Sequence, residues 1–149
     1  MRLYLDTSVI GGNFDPEFKD WTTPLLDEIF SGLHVAVISD LTIREIQAAP
    51  LKVRKLLEKL LESNTEFIQL NAESEILASQ YMKEGLLSPK LLEDANHIAI
   101  ASVYMINTVV SWNFKHIVNV GRIRLFNSVN LKYGYGLMDI RSPREIIGK

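Results

Sequence analysis

The sequence predicts an α/β fold: a three-layer sandwich whose mainly parallel central sheet has four to five strands and is flanked by helices. Short apolar runs of strand length alternate along the chain with longer segments of helical period. Size agrees with this. The 149 residues, 47% hydrophobic and 23% charged, suit one globular domain over 1–149 that buries a full core.

The first strand is Leu3–Asp6, an apolar run closed by an acid, and the second is Leu33–Ile38, rich in valine and isoleucine. Glu66–Leu70 and Thr108–Ser111 supply two more, with Met138–Ile140 as a fifth. Thr23-Pro24 predicts a helix through Phe30, with a threonine cap, proline at the first helical position and Gly32 as the stop. Leu41–Ala48 reads as a short helix closed by Pro50. Leu51–Leu61 sets Leu56, Leu57, Leu60 and Leu61 on one stripe and Lys52, Lys55 and Lys59 opposite. Ala72–Glu84 follows a capping Asn71 and stops at Gly85, whereas Leu91–Met105 is apolar almost all round and reads as a buried central helix. Ser142-Pro-Arg-Glu145 is a capping box that opens a short closing helix.

Composition excludes several classes of function. There is no cysteine, so disulfide frameworks, thiolate zinc sites and cysteine nucleophiles are ruled out, and a reducing cytoplasm is the expected compartment. Asp6 interrupts any signal-peptide core, and the longest strongly apolar stretch, Ile98–Ile106, is far short of a membrane span. The net charge of −2 argues against a uniformly basic surface. The charge is nonetheless uneven: residues 1–75 hold seven basic and thirteen acidic side chains, and residues 76–149 hold nine and five. An acidic chain of this kind can still present a basic face.

Parallel sheets bind ligands beyond the carboxyl ends of their strands, where the topology switches direction. Four polar residues fall there. Asp6 ends the first strand, Glu45 lies one helical turn past the second, Asp94 heads the buried helix, and Asn113 follows the fourth strand. Taken singly, Asp6 is explained as a cap, Asp94 as a helix N-terminal acid and Glu45 as a surface ion pair. Taken together, several carboxylates at one point repel unless a divalent cation neutralises them, and oxygen ligands without cysteine favour Mg²⁺ or Mn²⁺. Such an ion lowers the pKa of water and stabilises charge developing on a phosphodiester.

These segments resemble the PIN-domain family, specifically its VapC-like toxins. Asp6-Thr7-Ser8-Val9-Ile10 is similar to the opening motif, Ser39 to Glu45 to the second, Asp94-Ala-Asn-His-Ile-Ala to the third, and Val110-Ser-Trp-Asn113 to the fourth. Ser142-Pro-Arg-Glu resembles the family's closing box, so the likeness covers nearly the whole chain. It implies a PIN-like fold and an Mg²⁺- or Mn²⁺-dependent endoribonuclease acting on RNA as the toxin of a toxin–antitoxin module. It also implies an antitoxin partner and a homodimer. Asp6, Glu45 and Asp94 would hold the metal, with Asn113 as an outer or weak ligand and Ser8 orienting the ligands from behind.

Two positions depart from the family pattern. The fourth acid is Asn113, and the further acid often found two residues later is Lys115, as in a subgroup with Trp-Asn at this place. An amide oxygen still orients a ligand but removes one negative charge. This leaves the count of metal ions open, and it motivates an alternative: a catalytically weakened module that binds RNA or a protein partner. A phosphatase with Asp6 as nucleophile is disfavoured, since Ser8 stands where such enzymes carry a second acid.

Lys115, Arg122 and Arg124 are candidate RNA contacts, together with Lys132, Tyr133 and Tyr135, against the alternative of a solvated helix face. His97 shares the helix face of Asp94 and reads as a packing histidine bonded to backbone, and His116 reads as solvated. Gly11-Gly12 reads as a hinge before a lid or partner groove containing Phe14 and Trp21.

Overall fold

The computed structural model describes residues 1–148. Its strands are β1 (Arg2–Leu5), β2 (Val35–Ser39), β3 (Glu66–Ile68), β4 (Thr108–Val110) and β5 (Asp139–Arg141). They form one all-parallel sheet in the order β3-β2-β1-β4-β5. The helices are α1 (Thr7–Gly12), α2 (Lys19–Phe30), α3 (Asp40–Ile46), α4 (Leu51–Glu62), α5 (Ala72–Glu84), α6 (Leu92–Val103), α7 (Val120–Lys132) and α8 (Pro143–Ile147), with a 3₁₀ turn at Pro89–Leu91.

The two-residue period of a strand builds both interfaces of the sandwich. Tyr4, Val37, Val109 and Ile140 point to one face and pack with Leu77 and Tyr81 of α5, Ile98 of α6 and Phe126 of α7. Leu3, Leu5, Ala36, Ile38 and Val110 point to the other, against Ile10 of α1, Leu25 of α2, Leu57 of α4 and Ile146 of α8. Central strands of such a sheet are covered on both sides, which is why Leu3-Tyr4-Leu5 is continuously apolar and wholly buried. The chain lays β2 and β3 on one side of β1, then returns to place β4 and β5 on the other. The direction therefore switches at β1, and the residues that leave β1, β2 and β4 meet at one edge.

All five expected strands are present, and the helices differ in detail. The capping box at Ser142 forms as expected, and Asn71, after which α5 begins, forms a second one with Ser74. Thr7–Gly12 adds a helix that the sequence did not announce. α2 begins at Lys19 rather than Pro24, because Phe18 and Trp21 pack onto the core and draw the first turn upstream. Pro24 is tolerated there, since it deprives only the carbonyl of exposed Asp20 of its helical donor. α4 buries Val53, Leu57 and Leu60 and leaves Leu61 exposed, a stripe rotated from the one expected. Gly11-Gly12 is the last turn of α1, not a hinge. A Cβ on Gly12 would stand 2.8 Å from the Trp112 ring, so this glycine permits close packing. Trp21 lies beneath the Arg144 guanidinium and Phe14 beneath the Lys52 ammonium, each fixed to a neighbouring helix.

α6 ends at Val103, two residues early, in a paired cap: Ile106 N–H donates to the Ala101 carbonyl (2.9 Å) and Met105 N–H to that of Ser102 (3.1 Å). This turn holds Met105 at φ 58°, a left-handed conformation that favours glycine, with its side chain 75% exposed. Met105→Gly removes the strain and loses little packing, so the variant should gain about 0.5–1 kcal/mol and melt a few degrees higher. Thermal unfolding followed by circular dichroism checks this.

Candidate active site at the carboxyl ends of the strands

Asp6 leaves β1 in extended backbone and caps α1, with only 5% of its surface exposed. A buried carboxylate needs compensating partners, and serines on two segments supply them. Oδ1 accepts from the backbone N–H (3.1 Å) and hydroxyl (2.6 Å) of Ser8, and Oδ2 accepts from the Ser111 hydroxyl (2.7 Å). Each hydroxyl also accepts a backbone N–H from the exit of β4. Trp112 N–H reaches Ser8 Oγ and Asn113 N–H reaches Ser111 Oγ, both at 2.9 Å. The two serines thus tie the ends of β1 and β4 together around one carboxylate.

Glu45 comes from α3, which opens where Ser39 at the end of β2 caps the helix. Its Oε1 accepts from the Thr7 hydroxyl and pairs with Nε2 of His97 (2.9 Å). His97 is buried on α6, one turn past Asp94, and its Nδ1 meets the Tyr4 hydroxyl (2.5 Å), which in turn meets Ser39 Oγ (2.7 Å). Half-buried Asp94 receives a long hydrogen bond (3.4 Å) from the Asn113 amide nitrogen. The orientation of that amide follows from its other end, where Asn113 Oδ1 accepts the His116 N–H (2.9 Å).

The four expected residues therefore share one edge, and the charges of its three acids interact. Burial raises the Asp6 carboxyl above the ordinary aspartate range, and nearby Glu45 raises it further, against opposing pulls from His97 and the two serines. Burial likewise raises Asp94, opposed by His116 and His97 and reinforced by Asp6 and Glu45. For Glu45, burial pushes upward but the hydrogen bond and charge of His97, with the Thr7 hydroxyl, hold the net value below the ordinary range. His97 is raised: burial opposes its charge, but Glu45, Asp6 and Asp94 together prevail.

An edge that gathers oxygen donors at mutual electrostatic cost suits a divalent cation in kind. Among the described residues, however, no three His, Asp or Glu side chains stand close enough together to hold an ion. Glu45 is engaged by Thr7 and His97, and the acids that keep lone pairs free of charged partners are Asp6 and Asp94. A cation at this edge would therefore have to rest chiefly on those two carboxylates, since Asn113 turns its amide nitrogen, a donor, toward Asp94.

Several residues of this edge were not distinguished in the sequence. His97 bonds side chains on either side, not backbone. Glu93 stands next to Glu45, and its carboxyl is raised by burial and by that neighbour. His116, expected in solvent, is half-buried beside Asp94 with an unpartnered Nδ1. Lys115 is exposed two residues beyond Asn113, and Arg122 and Arg124 lie near the start of α7. The cap of that helix, Asn119, binds the carbonyls of Phe114 (3.3 Å) and Lys115 (2.7 Å) and so brings the helix start to the same loop. Lys132, Tyr133 and Tyr135 turn away from it, to Glu84, Gln80 and Glu73 on or beside α5.

The raised His97 value carries a sign. Protonated His97 favours the folded state below about pH 6.5, and this contribution fades as pH climbs through its higher folded value. In Glu45→Gln the first-named attraction is lost, so the His97 pKa, read from imidazole NMR resonances against pH, should fall. An unchanged value would contradict the pairing.

No protein-family model matches the sequence, and no curated protein is significantly similar to it. Solved structures do share its architecture. A chain of VapBC2 from Rickettsia felis, bound to a DNA fragment from their promoter, superposes with a TM-score of 0.60 at 14% identity over 95% of this chain and 98% of that one. A chain of FitAB bound to the IR36 DNA fragment gives 0.62 at 17% identity, over 95% and 94%. A chain of FitAcB from Neisseria gonorrhoeae gives 0.60 at 15% identity, over 95% and 97%. With the all-parallel five-stranded sheet between two helical layers, this likeness establishes that the chain has a PIN-like fold.

Proposed function

We propose that this protein is an Mg²⁺- or Mn²⁺-dependent endoribonuclease that hydrolyses RNA phosphodiester bonds as the toxin of a toxin–antitoxin module. The observation that carries the reading is the meeting of Asp6, Glu45, Asp94 and Asn113, from four separate segments, at the switch point of a PIN-like sheet. Asp6 and Asp94 would hold the cation, with Glu45 close by, and Asn113 would join as a weak or outer ligand only once its amide turns its oxygen from His116 toward the edge. Once bound, the cation would activate water and stabilise the charge that develops on the phosphate. The protein's own groups prepare that chemistry. Ser8 and Ser111 fix both oxygens of Asp6, and Thr7 and His97 fix Glu45. Lys115, Arg122 and Arg124 surround the exit loop with cations suited to the RNA backbone.

Partners follow from the same reading. The VapBC2 and FitAB complexes suggest a small antitoxin protein as inhibitor. An apolar cleft lined by Phe14, Pro16, Ile46, Pro50 and Val53 opens beside Thr7, in reach of the edge it would block. A homodimer would cover the apolar patch of Leu87, Pro89 and Leu92, where Leu87 is 87% exposed. Among the described residues no helix is long and apolar enough to cross a membrane.

A second reading has one observation in its favour. Asn113 offers its amide nitrogen to Asp94 in place of a fourth acid, which partly satisfies the edge without any ion. On this view the protein binds RNA or a protein partner and cuts nothing. Cleavage assays on single-stranded and structured RNA decide between the two. The ribonuclease requires cutting with Mg²⁺ or Mn²⁺ that EDTA abolishes, and a loss of about 100-fold or more in Asp6→Asn and in Asp94→Asn. Ser8→Ala, which loosens Asp6 and leaves the Trp112 N–H without its side-chain acceptor, should cost about 10–100-fold. Asn113→Asp restores a charge and should lower the metal concentration needed for half-maximal rate. RNA binding with no cleavage under either metal would establish the second reading.

A further inference from the structure

Beside the acidic edge stands an aromatic group that the proposed chemistry does not use. Trp112 is buried, its Nε1 donating to Thr22 Oγ1 (2.8 Å) and its ring seated against Gly12. Phe18 stacks on that ring with centroids 4.3 Å apart and planes 18° from parallel. Phe114 meets Trp112 edgewise at 5.9 Å and Phe18 at a tilt at 6.5 Å, yet it is 50% exposed. Its backbone is held on both sides, by its own N–H on the Trp112 carbonyl (2.9 Å) and by Asn119 on its carbonyl. Trp112 and Phe18 are spent on packing. Phe114 is the most exposed of the three, directly after Asn113 and directly before the exposed cation Lys115.

We infer that Phe114 is a stacking platform for an unpaired nucleobase of single-stranded RNA, set next to the phosphate that the acidic edge addresses. The inference rests on the ribonuclease reading and adds a substrate class to it. Every base has a π-face, so an exposed ring on a fixed loop binds bases with little regard to sequence. Bases inside a duplex are stacked on one another and unavailable to it. With the ring already held by its loop and aromatic neighbours, stacking costs little ordering entropy. Lys115, one residue on, then lies within the same loop as a contact for the adjoining phosphate.

The test uses the full chain in EDTA, which prevents cleavage, and a single-stranded RNA carrying 2-aminopurine, whose emission falls on stacking. Wild type and Phe114→Tyr should quench it and bind alike. Phe114→Leu, which keeps an apolar side chain, should lose the quenching and bind roughly 5- to 100-fold more weakly, while affinity for a matched RNA duplex stays unchanged. As a measurement independent of that variant's folding, a single abasic nucleotide scanned along the strand should weaken wild-type binding at one position. Phe114→Leu that binds and quenches like wild type, an abasic scan with no sensitive position, or a loss confined to binding of a protein partner would each overturn the inference. Metal-dependent cleavage separates the two readings. RNA cut by wild type and Phe114→Leu at equal rates sinks the platform and spares the nuclease. Quenching lost in Phe114→Leu, with no cutting by wild type under either metal, does the reverse.

Discussion

A carboxylate in the interior has to be answered on every side, and the answer to Asp6 organises this protein. Its position is forced by topology: β1 lies mid-sheet, covered on both faces, so whatever follows Leu5 emerges into protein rather than solvent. The partners come from the nearest strand exit, where Ser111 meets one oxygen, and from the first turn of α1, where Ser8 meets the other. Because each hydroxyl is also an acceptor for backbone N–H groups after β4, the same bonds that satisfy the acid set the course of the Trp112–His116 loop. Removing the acid would release two hydroxyls and, through them, that course.

The remaining acids solve the problem of charge differently. Glu45 is matched by a buried histidine, Asp94 by an amide, and Glu93 by partial exposure. Three means of balancing negative charge within one edge keep the acids assembled without leaving a bare charge in the interior. Asn113 is the most informative of them. An aspartate there would face Asp94 as a like charge, whereas the amide turns the contact into a hydrogen bond.

The architecture was readable because parallel strands buried on both faces leave unbroken apolar runs, and the acids stood out because they interrupt those runs at strand ends. What escaped was whatever depends on the third dimension. Thr7–Gly12 holds poor helix formers, two glycines and three β-branched residues among its six, and it is helical because Asp6 caps it and its apolar side chains are buried. Pro24 seemed to start a helix, yet aromatic packing upstream outweighed one missing hydrogen bond. His97 lies 52 positions from Glu45 and 93 from Tyr4, separations that no local pattern connects. The acids stand out by their place at strand ends and their order along the chain, whereas the roles of Thr7 and Ser111, and the burial of His116 beside Asp94, depend on bonds and neighbours from distant segments.

The line of groups from Glu45 through His97 and Tyr4 to Ser39 crosses from the edge into the core, and it has two complete polarities. With a neutral imidazole, Nε2–H donates to Glu45 while Nδ1 accepts the Tyr4 proton and Tyr4 accepts from Ser39. With an imidazolium, Nδ1–H donates to Tyr4, and the tyrosine proton swings to Ser39. Every polar atom keeps a partner in both, so only hydrogens need move. The line can therefore hold either protonation state of His97 while its heavy atoms stand still.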